Sequence, residues 1–170
     1  MCGFAGFLGT KILADRSDCK KTLIQMTDKI IHRGPDDADC WVDLDNQIGL
    51  GHRRLAILDL SIAGRQPMVS GSGRYVIIFN GEIYNYIELR NKLISYGHKF
   101  STNSDTEVLL KAYIHWGEKL VEYLDGMWAF SIYDLKKKIV FVSRDHFGQK
   151  PFFYYRDENK FIFGSEIKYI

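Results

Sequence analysis

The sequence predicts an α+β fold of antiparallel sheets with helices covering their outer faces. Apolar strand patterns crowd both ends of the chain, and two amphipathic helices follow one another in the middle. That is not the strand–helix alternation of a parallel doubly wound sheet. The segments Met127–Tyr133 and Ile139–Val142 are apolar on both faces, as expected of strands in a sheet covered on both sides. Aromatic residues make up 14% of the chain and many sit in apolar runs, which suits thick sheet packing.

The elements follow in order. Gly3–Gly9 reads as a short buried strand flanked by glycines. Ser17–Ile31 reads as a helix, with Leu23, Met26 and Ile30 at helical spacing. Arg33-Gly34-Pro35-Asp36-Asp37 stops it, because Gly and Pro break helices. Strands Asp39–Leu44 and Gln47–Leu55 flank Asp45-Asn46, good hairpin chemistry. The loop Ser61–Gly73 leads to the strand Tyr75–Phe79, after which Asn80-Gly81-Glu82 is expected to turn the chain. Asn85 with Glu88 suggests a cap for a helix carrying Tyr86, Leu89, Leu93 and Tyr96 on one face. Ser104-Asp105-Thr106-Glu107 matches the S-x-x-E capping box and opens a second helix with Val108, Leu109, Ala112, Tyr113 and Trp116 on its apolar side. Strands Met127–Asp134, Ile139–Ser143, Pro151–Tyr155 and Lys160–Phe163 complete the pattern, and Lys136-Lys137-Lys138 reads as a solvated hairpin tip. No internal repeat, low-complexity segment or linker stands out.

Composition narrows the function. The chain has 170 residues, 46% hydrophobic and 26% charged, enough for one domain over 1–170 with a substantial core. A net charge of +2 is too small to point to nucleic acid or another polyanion. No stretch approaches the roughly 18 apolar residues of a membrane span. Met1–Ala14 has no basic leader and is a poor signal peptide. Cys2, Cys19 and Cys40 are odd in number and lack CxxC or paired Cys/His spacing. They speak against a zinc site or a disulfide framework, and for a reducing, cytoplasmic setting.

Chemistry begins at the second residue. A small residue after the initiator is the context in which Met1 is removed, which would leave Cys2 with a thiol and a free α-amine. An α-amine titrates near about 7.7–8.0, so part of it is a neutral base able to take the thiol proton. Read by itself, Cys2 is an incidental cysteine near a terminus. Asn80-Gly81 offers a side-chain amide beside a glycine N–H, a pair suited to a developing oxyanion, but alone it is an ordinary turn dipeptide. His52-Arg53-Arg54 interrupts an apolar stretch, and one arginine there suits a carboxylate clamp. Asp105 sits at a helix start, where the helix dipole stabilises a carboxylate and where simple capping chemistry also accounts for it.

Six segments in order carry a resemblance: Met1–Gly6 (MCGFAG), His32–Asp37 (HRGPDD), Gly51–Leu60 (GHRRLAILDL), Phe79–Tyr86 (FNGEIYNY), Ser104–Glu107 (SDTE) and Ser143–Pro151 (SRDHFGQKP). The chain resembles the class II, N-terminal-nucleophile glutamine amidotransferase domain, most of all the glutaminase half of glutamine-hydrolysing asparagine synthetase. The resemblance covers essentially the whole chain. It implies a four-layer αββα sandwich of two stacked antiparallel sheets. It implies that Cys2 attacks the side-chain amide of L-glutamine and that Asn80 and Gly81 form the oxyanion hole. Arg54 would bind the substrate α-carboxylate, and Asp105 with Glu82 the α-ammonium. Backbone groups of Arg54, Leu55, Ala56, Ile57 and Leu58 would line the pocket. His32, Arg33 and Asp36 are read as loop structure beside the nucleophile, and Arg144-Asp145-His146 as loop structure on the face toward a partner domain.

In that family the glutaminase domain precedes an ATP-dependent synthetase domain with a Ser/Gly-rich pyrophosphate loop, which this sequence lacks. The expectation is therefore a glutaminase domain needing no cofactor or metal itself, with ATP and Mg confined to a synthetase domain in cis or on a separate chain. A homodimer is compatible with it. Aspartate is the default ammonia acceptor, with a sugar acid of surface polysaccharide as an alternative. A catalytically silent binding or regulatory module remains open, most simply if Met1 stays in place. A redox or metal-binding role for Cys2, Cys19 and Cys40 has little support from their spacing.

Overall fold

A computed structural model describes residues 1–9, 16–57, 59 and 61–169. Its strands are β1 (Gly3–Gly9), β2 (Asp37–Asp43), β3 (Ile48–Arg54), β4 (Met68–Val69), β5 (Tyr75–Ile83), β6 (Gly126–Asp134), β7 (Ile139–Arg144), β8 (Phe153–Arg156) and β9 (Lys160–Gly164). The helices are α1 (Arg16–Asp28), α2 (Tyr86–Ser95) and α3 (Asp105–Trp116), with 3-10 turns at Ile31–Arg33, Ile62–Gly64, Gly117–Tyr123 and Ile167–Tyr169. One antiparallel sheet runs β2-β3-β1-β9-β8 and the other β4-β5-β6-β7.

Three apolar clusters order the layers. Cys19, Leu23 and Met26 of α1 pack on Ala5 and Phe7 of β1. Phe4, Ile48, Leu50 and Phe163 of the first sheet meet Val76, Ile78, Ala129 and Tyr133 of the second. The far face of the second sheet, with Ile77, Phe79, Phe130 and Ile132, packs on Leu89 and Leu93 of α2 and Val108, Leu109 and Ala112 of α3. The result is the helix–sheet–sheet–helix sandwich. Burial of apolar surface at roughly 25 cal/mol per Å² drives this stacking.

Several elements differ from the sequence reading. The first helix ends at Asp28 and a separate 3-10 turn carries Ile31–Arg33. Asn80-Gly81-Glu82 does not turn the chain, since β5 runs on to Ile83 with Asn80 opposite Ala129 and Gly81 opposite Trp128. Pairing with β6 overrides the local turn preference of Asn-Gly. Asn85 holds the N-cap position of α2 without a side-chain cap bond. Instead its amide donates to the Tyr123 carbonyl (2.9 Å) and accepts from Asp125 N (3.1 Å), tying α2 to the segment before β6. Ser104 caps α3 by accepting from Glu107 N at 3.3 Å. The Glu107 carboxylate turns to Ser101 N and Thr102 N rather than back to Ser104, so half of the capping box forms. The strand Ile139–Arg144 is an edge strand, and Ile139 and Val142 are exposed although the sequence made both faces look covered. The predicted loop Ser61–Gly73 contains a 3-10 turn and β4. Lys136, Lys137 and Lys138 lie exposed at the β6–β7 turn. Among the described residues no helix is long and apolar enough to cross a membrane.

Candidate active site

Strand alternation assembles the site. Phe4, Ile48, Leu50, Val76 and Ile78 face the interior between the sheets. Residues at the same parity point the same way, so Cys2 beyond the start of β1, His52 and Arg54 on β3, and Asn80 and Glu82 on β5 are directed between the sheets. The intervening residue, Arg53, faces the α1 side and pairs with Asp28. One arginine thus lines the cleft and its neighbour does not: Cys2, Arg54, Leu55, Gly81, Glu82 and Asp105 border one small pocket.

The shortness of β4 opens this pocket. β4 pairs only with Val76 and Ile77 of β5, so the β5 edge beyond them lacks a strand neighbour. Polar groups from other elements occupy that edge. Phe79 N donates to Gln66 Oε1 (2.6 Å), His52 Nε2 meets the Phe79 carbonyl (3.0 Å), and Ile83 N donates to Asp105 Oδ2 (3.2 Å). Gly81 lies two residues from both Phe79 and Ile83, so its N–H points to the same edge, into the pocket. A side chain at Gly81 has no room: a Cβ there would meet the Met127 carbonyl and lie 2.8 Å from Trp128 Cα. Asn80 is 1% exposed, and its Nδ2 has no hydrogen-bond partner among the described residues. An unpaired buried donor is costly, about 1–3 kcal/mol. It belongs to the residue before Gly81, whose N–H points to the open edge of β5.

The Cys2 thiol touches one peptide group. Its Sγ lies 3.3 Å from Leu55 N and 3.5 Å from the Leu55 carbonyl. Burial pushes the thiol above its ordinary range, while the Leu55 N–H, the N-terminal amine and Arg54 pull it down and Asp105 pushes it up. The net direction favours the protonated thiol. The α-amine present belongs to Met1, which is 55% exposed and accessible.

The charged groups have separate supports. Arg54 Nη1 donates to the Ser61 carbonyl at 2.8 Å and Nη2 to the Asp59 carbonyl, which points the fork along the pocket wall. Asp105 is 7% exposed at the first turn of α3. Burial pushes its carboxyl up to about 6, against the Ile83 and Thr106 N–H groups, and nearby Glu82 adds to the rise. A carboxylate held in this condition gains from a cation. Ala56 N donates to Asp36 Oδ2 at 2.8 Å, and Ile57 is exposed at the pocket mouth. Leu58, expected in the pocket lining, lies outside the described residues.

The flanking motifs brace the strand that follows Cys2. His32 and Arg33 both bind the Glu166 carboxylate, His32 at 2.8 Å. Ser165 Oγ accepts from Phe4 N at 3.1 Å, and Ser165 N donates to the Phe4 carbonyl at 3.0 Å. Gly34 packs so closely on the Arg53–Arg54 peptide that a Cβ would collide with it. Asp145 accepts from Trp128, Phe147, Gln149 and Lys150 N–H groups, so the acid of Arg144-Asp145-His146 organises a loop. Among the described residues no cluster of three His, Cys, Asp or Glu side chains is gathered as for a metal ion.

Sequence reasoning missed His52 and Gln66. Burial lowers His52 to about 4, so its ring is neutral and its Nε2–H donates to Phe79 O across the two sheets. Gln66 also donates to Thr106 Oγ1 at 3.2 Å, joining β5 to α3. A lone polar residue in a loop gives no local signal of this.

The model of a glutamine amidotransferase domain matches residues 1–170. The chain belongs to this family. This amidotransferase domain is 44% identical over 172 residues to asparagine synthetase [glutamine-hydrolyzing] 3 of Bacillus subtilis, covering 100% of the chain and 27% of that protein. It is 43% identical over 186 residues to putative asparagine synthetase [glutamine-hydrolyzing] 2 of Methanocaldococcus jannaschii, covering 99% of the chain and 34% of that protein. The chain thus spans about a quarter to a third of the length of these relatives. The solved glutamine phosphoribosylpyrophosphate amidotransferase of B. subtilis has the same fold, with a TM-score of 0.78 over 97% of this chain and 42% of its own, at 21% identity.

Proposed function

We propose that this amidotransferase domain hydrolyses L-glutamine to glutamate and ammonia through a Cys2 thioester. The observation that carries the reading is the buried, unpaired Asn80 Nδ2 next in sequence to Gly81, which lines the same pocket as Cys2. With Met1 removed, the α-amine of Cys2 takes the thiol proton as Sγ attacks the amide carbon. The carbonyl oxygen, becoming an oxyanion, accepts from Asn80 Nδ2 and Gly81 N–H. The amine then returns its proton to the departing nitrogen, and ammonia leaves. A water attacks the thioester, its proton passing by the amine to the sulfur, and glutamate is released.

Substrate charge fits the pocket. Arg54 suits the α-carboxylate as a bidentate fork, and the Asp105 and Glu82 carboxylates suit the α-ammonium. In a longer protein the ammonia would pass to a synthetase domain that uses ATP and Mg and amidates aspartate, with a sugar acid as the alternative acceptor. The support for the aspartate branch is the identity to proteins named asparagine synthetases along the whole chain.

The test is ammonia release from glutamine without ATP, combined with intact mass. The processed protein should start at Cys2 and be active, and Cys2→Ala should be folded and inactive. Unchanged turnover in Cys2→Ala overturns the mechanism. A folded protein that retains Met1 and binds glutamine without turnover would support the silent module instead.

A further inference from the structure

Lys150 is a buried cation beside residues 1 and 2 that the mechanism above does not use. It is 4% exposed and ends the loop after β7. Its backbone is fixed from both sides, with its N–H donating to Asp145 Oδ2 at 2.9 Å and its carbonyl accepting from Arg144 Nε at 2.6 Å. The ammonium is directed at residue 1, and Nζ lies 2.8 Å from Met1 Sδ. A thioether is a weak acceptor, and among the described residues it is the only one Nζ has. Burial pulls Lys150 below the usual lysine range, while Glu82, Asp145 and the Cys2 thiol hold it up and Arg33 pulls it down.

We infer that Lys150 is a positioning residue for the proposed general base: with Met1 gone, its ammonium lies beside the new α-amine of Cys2 and keeps that amine neutral. The inference rests on the glutaminase reading. Removing Met1 takes away the sulfur that Nζ meets and leaves an amine at the same peptide. A second positive charge beside a buried ammonium is disfavoured, so the amine gives up its proton more readily. The other charges facing this point are Glu82 of β5, Asp105 of α3 and Asp145 of the loop, which favour a protonated amine. Arg54 of β3 and Arg33 of the 3-10 turn oppose it. Bound glutamine would engage the Glu82 and Asp105 carboxylates with its own ammonium, leaving the cations dominant at the amine. Deleting the Lys150 charge raises the proton affinity of the amine with or without substrate.

The experiment compares the processed full chain with Lys150→Met, which keeps length without charge, and with Lys150→Arg, which restores charge. The readouts are kcat/KM for glutamine against pH and the titration of the Cys2 α-amine itself, followed by its 15N chemical shift against pH. In Lys150→Met the acid limb of the activity profile and the midpoint of the amine titration should both move up by about one pH unit, a roughly tenfold loss of activity near pH 6.5, with the alkaline plateau kept. Lys150→Arg should return the limb to its wild-type place. Each profile is normalised to its own plateau, so partial misfolding does not imitate the shift, and Lys150→Gln replaces Lys150→Met if the latter is insoluble. An unmoved limb overturns the inference, whether or not the plateau falls. Wild-type protein without glutaminase activity overturns the underlying reading instead, and the amine titration still decides the role of Lys150.

Discussion

Replacing Asp105 by Asn should make the ligand-free domain more stable and the enzyme worse. In the fold the Asp105 carboxyl is pushed from an ordinary 3.8 to about 6, mainly by burial. Between those values the unfolded chain holds fewer protons than the folded one, so stability falls as pH rises, then levels off above about 6. Two pH units correspond to about 3 kcal/mol, the order of the cost of keeping this carboxylate ionised at neutral pH. Asn has no charge to desolvate, and its carbonyl oxygen can still accept from Ile83 N, as Asp105 Oδ2 does at 3.2 Å. Urea unfolding of both proteins across pH 4–8 reads the difference directly, because every other titrating group is shared. The curves should nearly meet at about pH 4 and separate by up to about 3 kcal/mol by pH 7–8, the Asn variant being the more stable. Millimolar glutamine should close the gap by stabilising wild type alone, since its α-ammonium offsets the Asp105 charge. A stability difference that does not vary with pH would refute the reasoning.

The remaining predictions concern substrate and transition state. Asn80→Ala should lower kcat by about 10²–10³ with little change in KM, because an oxyanion donor acts on charge that develops during reaction; a raised KM at normal kcat would make Asn80 a ground-state binder. Arg54→Ala should weaken glutamine binding by about 2–5 kcal/mol, and Arg54→Lys should remain damaging because an ammonium cannot form the guanidinium fork. Arg53→Ala, which loses the Asp28 pair on the α1 side, should leave glutaminase kinetics near wild type, and steady-state assays of the three variants check this.

The sequence made legible what depends on period and on local chemistry. Strand Gly3–Gly9, the Asp45-Asn46 hairpin and the helix opened by Ser104 lie where their patterns put them. Alternation along β3 separates Arg53 from Arg54. What escaped depends on partners distant in the chain. Asn80-Gly81 looks like a turn because that dipeptide favours one, yet pairing with Ala129 and Trp128 keeps it extended. Ile139 and Val142 look like core because nothing in the segment tells an edge strand from a covered one. Leu89 and Leu93 mark the buried face of α2, whereas Asn85 binds a segment joined only in space. His52 and Gln66 act across sheets and between layers, where no sequence spacing records the contact.

The placement of β1 has a consequence for the order of events during synthesis. The strand that follows Cys2 lies inside its sheet, with β3 on one side and β9 on the other. Within this segment it is translated first, yet its second neighbour, Lys160–Gly164, and the Ser165 and Glu166 contacts that brace it are among the last parts of the segment to leave the ribosome. Contacts of such long sequence separation form late and slowly. The residue that would do the chemistry thus emerges early but gains its working surroundings late. On the proposed mechanism, removal of Met1 would have that whole interval while its surroundings are still loose, and a chain broken off before β9 would carry a cysteine with nothing to aim it.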